Sequence, residues 1–392
     1  MISEVATLPT TPRSPKLFVV LILALFSAGA FAIGIYGWRQ SVLFLVGGLF
    51  GIALYHASFG FASAYRKLFV HGEVKGIIAQ IWMLAIATIL FTPVLAAGTL
   101  WGQDFRGALS PVAVSGAIGA FLFGIGMQLG SGCACGTLYT IGGGSSMMVI
   151  TLLTFCAGSF WASLTGDLWS GLPRIPPVSL VQNWGYAGAI VQLLILGAIG
   201  YALWLRERRR PEIGRSNPLS WRTLLYGPWP LQFGAIFLAA LNFLTLLIAG
   251  RPWGVTWGFT LWGAKIATLL GWNPATSDYW SQGAPAEALS NSVFADVVSV
   301  MNFGLVLGAA LGAALAGRLA VKKPASRQAI LAAVIGGLMM GYGARLAFGC
   351  NVGAYFSGIA STSLHGWLWI VFALLGTFIG VRARSLFRLS NG

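Results

Sequence analysis

The sequence predicts an all-α polytopic membrane protein: an inverted repeat of about nine core transmembrane helices, short re-entrant hairpin helices and one extra N-terminal helix. Three observations carry that prediction. The chain is 57% hydrophobic and 8% charged over 392 residues, with a mean hydropathy of +0.80, where a soluble domain carries about a quarter charged residues. Its basic residues fall in alternate loops. One cysteine-containing stretch occurs twice, in opposite orientations with respect to those loops.

The repeat is gapless. Residues 118–136 read IGAFLFGIGMQLGSGCACG and residues 335–353 read IGGLMMGYGARLAFGCNVG. At one constant offset Gly119 matches Gly336, Gly124 matches Gly341, Gly126 matches Gly343, Leu129 matches Leu346, Gly132 matches Gly349, Cys133 matches Cys350 and Gly136 matches Gly353. Internal self-similarity settles architecture before any local feature does.

Apolar runs predict crossings over residues 17–36, 41–61, 76–98, 112–130, 147–166, 184–205, 230–249, 297–320, 329–348 and 366–383. Each is long enough to cross a hydrocarbon core of about 30 Å as a helix. No alternating ten-residue segments suggest a transmembrane barrel. Basic residues collect around Arg13 and Lys16, Arg66 to Lys75, Arg206 to Arg222, Arg318 to Arg327, and Arg382 to Arg388. The intervening loops hold Arg39, Arg106 and Arg174 with most of the acids: Asp104, Asp167, Asp278, Glu287 and Asp296. This is the positive-inside pattern. The net charge of +15 therefore reads as topology and contact with anionic lipids, not as nucleic-acid binding, and both termini are expected in the cytoplasm.

With the loops so assigned, the first cysteine copy begins on an outside-to-inside helix and the second on an inside-to-outside helix. Inverted repeats of this kind are typical of secondary transporters, with sites near the bilayer midplane at broken helices. The expected division is a leader and extra helix over 1–36, a first half with its connecting helix over 41–205, a basic cytoplasmic linker over 206–225, and a second half over 226–388. The leader also has features of a cleavable signal peptide. Its length and Glu4 favour a retained helix.

Behind Cys133 the chain reads GTLYTIGGGSS, and behind Cys350 it reads NVGAYFSGIASTSLHGW. Such stretches are too short to cross and too rich in Gly and Ser for ordinary helix. Irregular backbone at membrane depth survives only inside protein or against a watery cavity. Each is read as a helix that stops, a Gly-rich turn, and a half-helix whose N-terminus suits an anion. Close helix packing accounts for some of these glycines, but not for a cysteine at the same place in both copies. Two further hairpins are expected at residues 55–70 and 251–267.

Individual residues divide by chemistry. The four cysteines, Cys133, Cys135, Cys156 and Cys350, and the three histidines, His56, His71 and His365, fit no metal spacing, and no cofactor is expected. Cys156 reads as a small buried hydrophobe. A Cys133–Cys135 disulfide is disfavoured by their separation, and the role of Cys135 is left open. Arg345, five residues before Cys350, is an intramembrane charge and hence a functional candidate; its counterpart in the first copy is Gln128. Lys265 reads equally as a snorkelling side chain. His365 reads as a capping, interfacial or substrate-contacting residue. Trp253, Trp257, Trp262 and Trp367 read as interface anchors. No nucleophile triad, HExxH, phosphate loop or pair of intramembrane carboxylates suggests an enzyme.

The motifs GSGCACGTLYTIGGGS at residues 130–145 and GARLAFGCNVGAYFSGIASTSLHGWLW at residues 343–369 closely resemble the YeeE/YedE sulphur-transport family of bacterial inner-membrane proteins. RPWGVTWGFTLWGAK at 251–265 is similar to a third segment of it. The resemblance covers residues 41–385. It implies an hourglass of nine spanning helices with four hairpin helices meeting at its waist, uptake of thiosulfate, and cysteines that pass the ion along by weak thiol hydrogen bonds. It also implies a cytoplasmic sulfurtransferase as partner. The family's first hairpin carries a third cysteine; the matching stretch here, HASFGFASAYRK at 56–67, has Gly60 in its place.

The expectation is therefore a non-enzymatic, multi-pass protein of the bacterial inner (plasma) membrane that takes up a small sulfur-containing anion, thiosulfate, through a cysteine-lined constriction. Its expected pathway residues are Cys133, Cys350, Gly132, Gly136, Gly349, Asn351, Arg345 and Gly60. The alternatives are transport of a selenium or other sulfur species, a membrane thiol enzyme handling sulfane sulfur, and a channel or scaffold subunit.

Overall fold

The computed structural model describes residues 16–209, 219–324 and 326–391. The leader before Lys16 and the middle of the basic linker, 210–218, lie outside the described residues. An apolar chain in lipid must pair its backbone N–H and C=O groups internally, and helices do so here. In order they are α1 (Lys16–Ile33), α2 (Trp38–Ala57), α3 (Phe61–His71), α4 (Lys75–Ala97), α5 (Val114–Leu129), α6 (Ala134–Gly142), α7 (Ser146–Leu164), α8 (Leu180–Trp184) and α9 (Tyr186–Glu207). After the linker come α10 (Trp221–Tyr226), α11 (Leu231–Ala249), α12 (Val255–Leu269), α13 (Asp278–Ser281), α14 (Gly283–Ser290), α15 (Val297–Leu315), α16 (Arg327–Leu346), a π-helical turn (Asn351–Phe356) continued by α17 (Ser357–Ala360), and α18 (Leu364–Ala383). Among the described residues, 10 helical stretches are long and apolar enough to cross a membrane, and they coincide with the ten runs read from the sequence. The protein is an all-α polytopic membrane protein. Two short two-stranded ribbons lie in its loops.

The helix contacts come in pairs. α2 packs on α15 as α11 packs on α4; α5 on α18 as α16 on α7; α3 on α18 as α12 on α7; and α6 on α15 as α17 on α4. Exchanging α2 with α11, α3 with α12, α4 with α15, α5 with α16, α6 with the π-turn and α17, and α7 with α18 maps each contact onto its partner. The α5–α16 and α2–α11 contacts map onto themselves. This is a pseudo-two-fold arrangement. α1 lies outside it, packed on α2 and α15, and α9 is packed on α4. Both leave apolar side chains such as Leu17, Val20, Ile190 and Leu194 exposed.

Close approach of backbones holds the pairs together. Between α2 and α15, a Cβ on Gly51 would fall 2.1 Å from the Leu305 carbonyl oxygen, and one on Gly308 2.0 Å from that of Gly48. Small residues at such crossings are how membrane helices gain van der Waals contact.

Each half contains two broken helices: α2/α3 and α5/α6 in the first, α11/α12 and α16/π-turn in the second. A residue in the left-handed region lies at every break: Ser58 (φ 47), Ser131 (φ 61), Gly250 (φ 72) and Phe348 (φ 59). The sequence reading gave the turn to glycine. Gly132 does not take it, and Ser131 does. Gly349 (φ 148) follows Phe348, so both residues carry the turn there. A left-handed non-glycine residue costs on the order of 1–3 kcal/mol, which the packed surroundings hold in place.

Candidate functional site

The two repeat cysteines occupy equivalent backbone positions. Cys133 caps α6 with φ −87 and ψ −173, and Cys350 caps the π-turn with φ −107 and ψ −166. The amide of Gly136 faces the Cys133 sulfur and that of Gly353 faces the Cys350 sulfur. Cys135, on the first turn of α6, places its Sγ 3.4 Å from Cys133 Sγ. Cys350 lies within electrostatic range of Cys133 and Cys135. All three are free thiols, buried to 2%, 1% and 0% exposure. The remaining cysteine, Cys156, is buried in α7, where its carbonyl oxygen meets Gly263 of α12; it packs as a small apolar residue.

Around the thiols the wall is aromatic. Phe61 of α3 lies edge-on to Tyr355, ring centroids 6.3 Å apart, and Tyr355 stacks on Trp369 at 6.1 Å. Tyr65, one turn beyond Phe61, lies beside Asn351 and Tyr355 and within electrostatic range of Cys133. A cavity of about 20 Å³ beside Cys135 is lined by Trp253, Asn242, Val352 and Phe356, room for about one water.

A vestibule lies on either side. One, of about 300 Å³, opens beside the loop that carries Tyr279 and is lined by Ser159, Trp253, Thr256, Thr260, Arg345, Phe348, Gly349 and Gly353. The Arg345 guanidinium lies over the Tyr279 ring at 4.4 Å. Burial pushes the Tyr279 hydroxyl up, and the Arg345 charge partly offsets this, so the ring faces the cation as a neutral phenol. The second vestibule, of about 260 Å³, lies beside the basic 66–75 loop and is lined by Ser58, Gly60, Ser63, Lys67, Glu73 and Gln80. Its lysine is paired: Lys67 Nζ stands 3.6 Å from Glu73 Oε1. Trp253 lines both the first vestibule and the small cavity beside Cys135.

Of the residues singled out in the sequence, Cys133, Cys350, Gly136 and Asn351 meet in one buried cluster. Arg345 and Gly349 line the first vestibule and Gly60 the second. Gly132 is buried in the turn, its Cβ position 3.4 Å from the Thr137 amide nitrogen. Trp253 is not an interface anchor: it is 2% exposed and faces inward. Its position in the turn before α12 decides this, and spacing alone could not reveal it. The Lys265 ammonium donates to the Leu289 and Asn291 carbonyl oxygens at 2.9 and 2.6 Å, fastening a loop. His365 bonds the Ser363 hydroxyl through Nδ1 at 2.8 Å, at the start of α18. Tyr65 was missed. A tyrosine one turn after Phe61 on a predicted re-entrant helix was its one signal.

Paired broken helices, three buried thiols between them and a vestibule on each side define a membrane transporter. Residues 56–379 match the family model described as Sulphur transport, and the chain belongs to that family; its role is transport. It is 29% identical over 357 residues to the thiosulfate transporter TsuA of Spirochaeta thermophila, covering 85% of this chain and 96% of that protein. It is 24% identical over 348 residues to the thiosulfate transporter TsuA of Escherichia coli, covering 85% and 91%. A third relative, the probable transporter YedE of Escherichia coli, is 32% identical over 163 residues, 42% of this chain and 39% of that protein.

Proposed function

We propose that this protein carries thiosulfate inward across a bacterial inner membrane, with both termini in the cytoplasm. On this reading residues 41–205 and 226–388 are oppositely oriented halves joined by the 206–225 linker. The observation that carries the proposal is the cluster of Cys133, Cys135 and Cys350 at two half-helix starts, buried between two vestibules. The named activity of two relatives that span most of the chain supports the same substrate.

The chemistry follows from the residues. Arg345 draws the anion into the outer vestibule, where a focused charge raises local concentration. The half-helix amides and thiols then replace part of its hydration shell. A thiol is a weak donor and a polarizable contact, suited to a terminal sulfur, and weak successive contacts let the ion leave. Cys350 meets it from the outer side and Cys133 from the inner, with Cys135 supplying a third thiol in place of the family's first-hairpin cysteine, whose position in this chain is Gly60. In the inner vestibule Lys67 is already neutralised by Glu73, so release meets no strong cationic trap. A cytoplasmic sulfurtransferase that accepts the sulfur is the partner this reading implies.

Uptake of radiolabelled thiosulfate by proteoliposomes tests it. Wild-type protein is expected to accumulate label inside, and Cys350→Ala to lose most of the rate; full rate in that variant removes the thiols from the pathway. One observation favours a second reading, a thiol enzyme that accepts sulfane sulfur: the 3.4 Å separation of Cys133 and Cys135 suits an attacking and a resolving thiol. A persulfide on Cys133 or Cys135 after substrate exposure, seen by mass spectrometry, would favour it.

A further inference from the structure

We propose that Tyr65 and Asn351 form the oxygen-recognising half of a two-ended site, whose other half is the Cys133–Cys135 thiol pair. The inference rests on the transport reading above and names the class of ion it admits: one bearing both a terminal soft atom and oxyanion oxygens. Tyr65 is 1% exposed and Asn351 0%. The Tyr65 hydroxyl and both amide atoms of Asn351 make no hydrogen bond of good geometry, although the two side chains lie beside each other. Buried polar groups in folded proteins are almost always paired, and an unpaired one calls for an explanation. Asn242 and Asn302 leave only their oxygens unpaired, since each amide nitrogen bonds a carbonyl, of Leu238 and Val255. Among the described residues Asn351 alone has both side-chain amide atoms buried and unpaired.

These groups lie near the thiols. Tyr65 lies beside Asn351 and within electrostatic range of Cys133, and Asn351 follows Cys350 directly in the chain. The Tyr65 O–H and the Asn351 Nδ2–H groups are hard donors suited to oxyanion oxygens, whereas the Cys133 and Cys135 sulfurs are soft. An ion with sulfur at one end and oxygens at the other satisfies both sets at once. Sulfate offers the thiols no soft atom, and thiocyanate offers Tyr65 and Asn351 a single nitrogen acceptor in place of a set of oxyanion oxygens. A site built to hydrogen-bond a ligand rejects an analogue lacking the matching group, because its own buried groups then stay unpaired.

The test is thiosulfate uptake by the full chain in proteoliposomes, with sulfate and thiocyanate as competitors. Wild-type protein is expected to prefer thiosulfate over both. Tyr65→Phe and Asn351→Leu are expected to raise the KM for thiosulfate about tenfold while weakening inhibition by thiocyanate much less. An unchanged KM in both variants, or equal weakening of both ions, overturns the proposal. Where Asn351→Leu fails to fold, Tyr65→Phe, which removes a single oxygen atom, decides alone. Wild-type protein without thiosulfate uptake overturns the transport reading and this proposal with it. Normal wild-type uptake with unaltered variants overturns this proposal alone.

Discussion

Gly119 and Gly343 close reciprocally on each other: a Cβ on Gly119 would stand 2.6 Å from the Gly343 carbonyl oxygen, and one on Gly343 2.5 Å from that of Gly119. Gly126 and Gly336 repeat the relationship at 2.7 Å in both directions. As Gly119 meets Gly343 and Gly126 meets Gly336, α5 and α16 run antiparallel through their crossing. Two breaks at opposite ends of this pair still bring Cys133 and Cys350 within electrostatic range. The repeat glycines thus set the crossing and the repeat cysteines set the site.

Gly343→Val should destabilise this crossing. The added carbons have nowhere to go except into backbone, and overpacking costs about 1–3 kcal/mol. Thermal unfolding of purified protein in detergent should show a lower melting temperature. Gly116→Ala is the control, because its Cβ position meets nothing nearer than 3.6 Å, and its melting temperature should match wild type.

The cysteines should separate by position. Cys133→Ala and Cys350→Ala are expected to lower thiosulfate uptake about tenfold, the worth of a hydrogen bond to an ion. Cys156→Ala should retain uptake close to wild type, because its thiol lies outside the cluster. Initial rates in proteoliposomes check the order.

Arg345→Gln should raise the KM for thiosulfate and leave kcat nearly unchanged, since the guanidinium lines the vestibule and not the thiol cluster. The wild-type KM should also rise with ionic strength as the attraction is screened over about 8–10 Å. The variant's KM should respond little to salt. Tyr279→Leu, which removes the ring beneath the guanidinium, should shift KM the same way by less.

Lys265→Met should free the loop around Leu289 and Asn291. Two charged-donor hydrogen bonds are lost, at about 1–3 kcal/mol for a partly exposed group. Faster proteolysis of that loop and a lower melting temperature are expected, with uptake per folded molecule unchanged.

The sequence made the crossings legible because hydrocarbon imposes length and apolarity on every span. The repeat located two of the four breaks. The residue that takes each turn was not legible: Ser131 and Phe348 adopt left-handed backbone only because packing on both sides holds them there. Trp253 and Tyr65 were equally hidden. Each sits on or beside a half-helix whose inward face depends on the opposite half of the molecule, so local periodicity carries no signal. Lys265 looked like an intramembrane charge because its partners, two carbonyls in a distant loop, leave no trace in the sequence. Cys135 was ambiguous for a related reason, since only the fold brings it toward Cys350.

The most direct measurement is the position of a bound substrate analogue. A structure of the protein with selenosulfate, whose terminal selenium gives an anomalous signal, locates the soft end of the ion. The account predicts that selenium lies within about 4 Å of the sulfur of Cys133, Cys135 or Cys350, close contact for a thiol. Selenium bound only outside this cluster, with the three thiols still sealed from both vestibules, would contradict it.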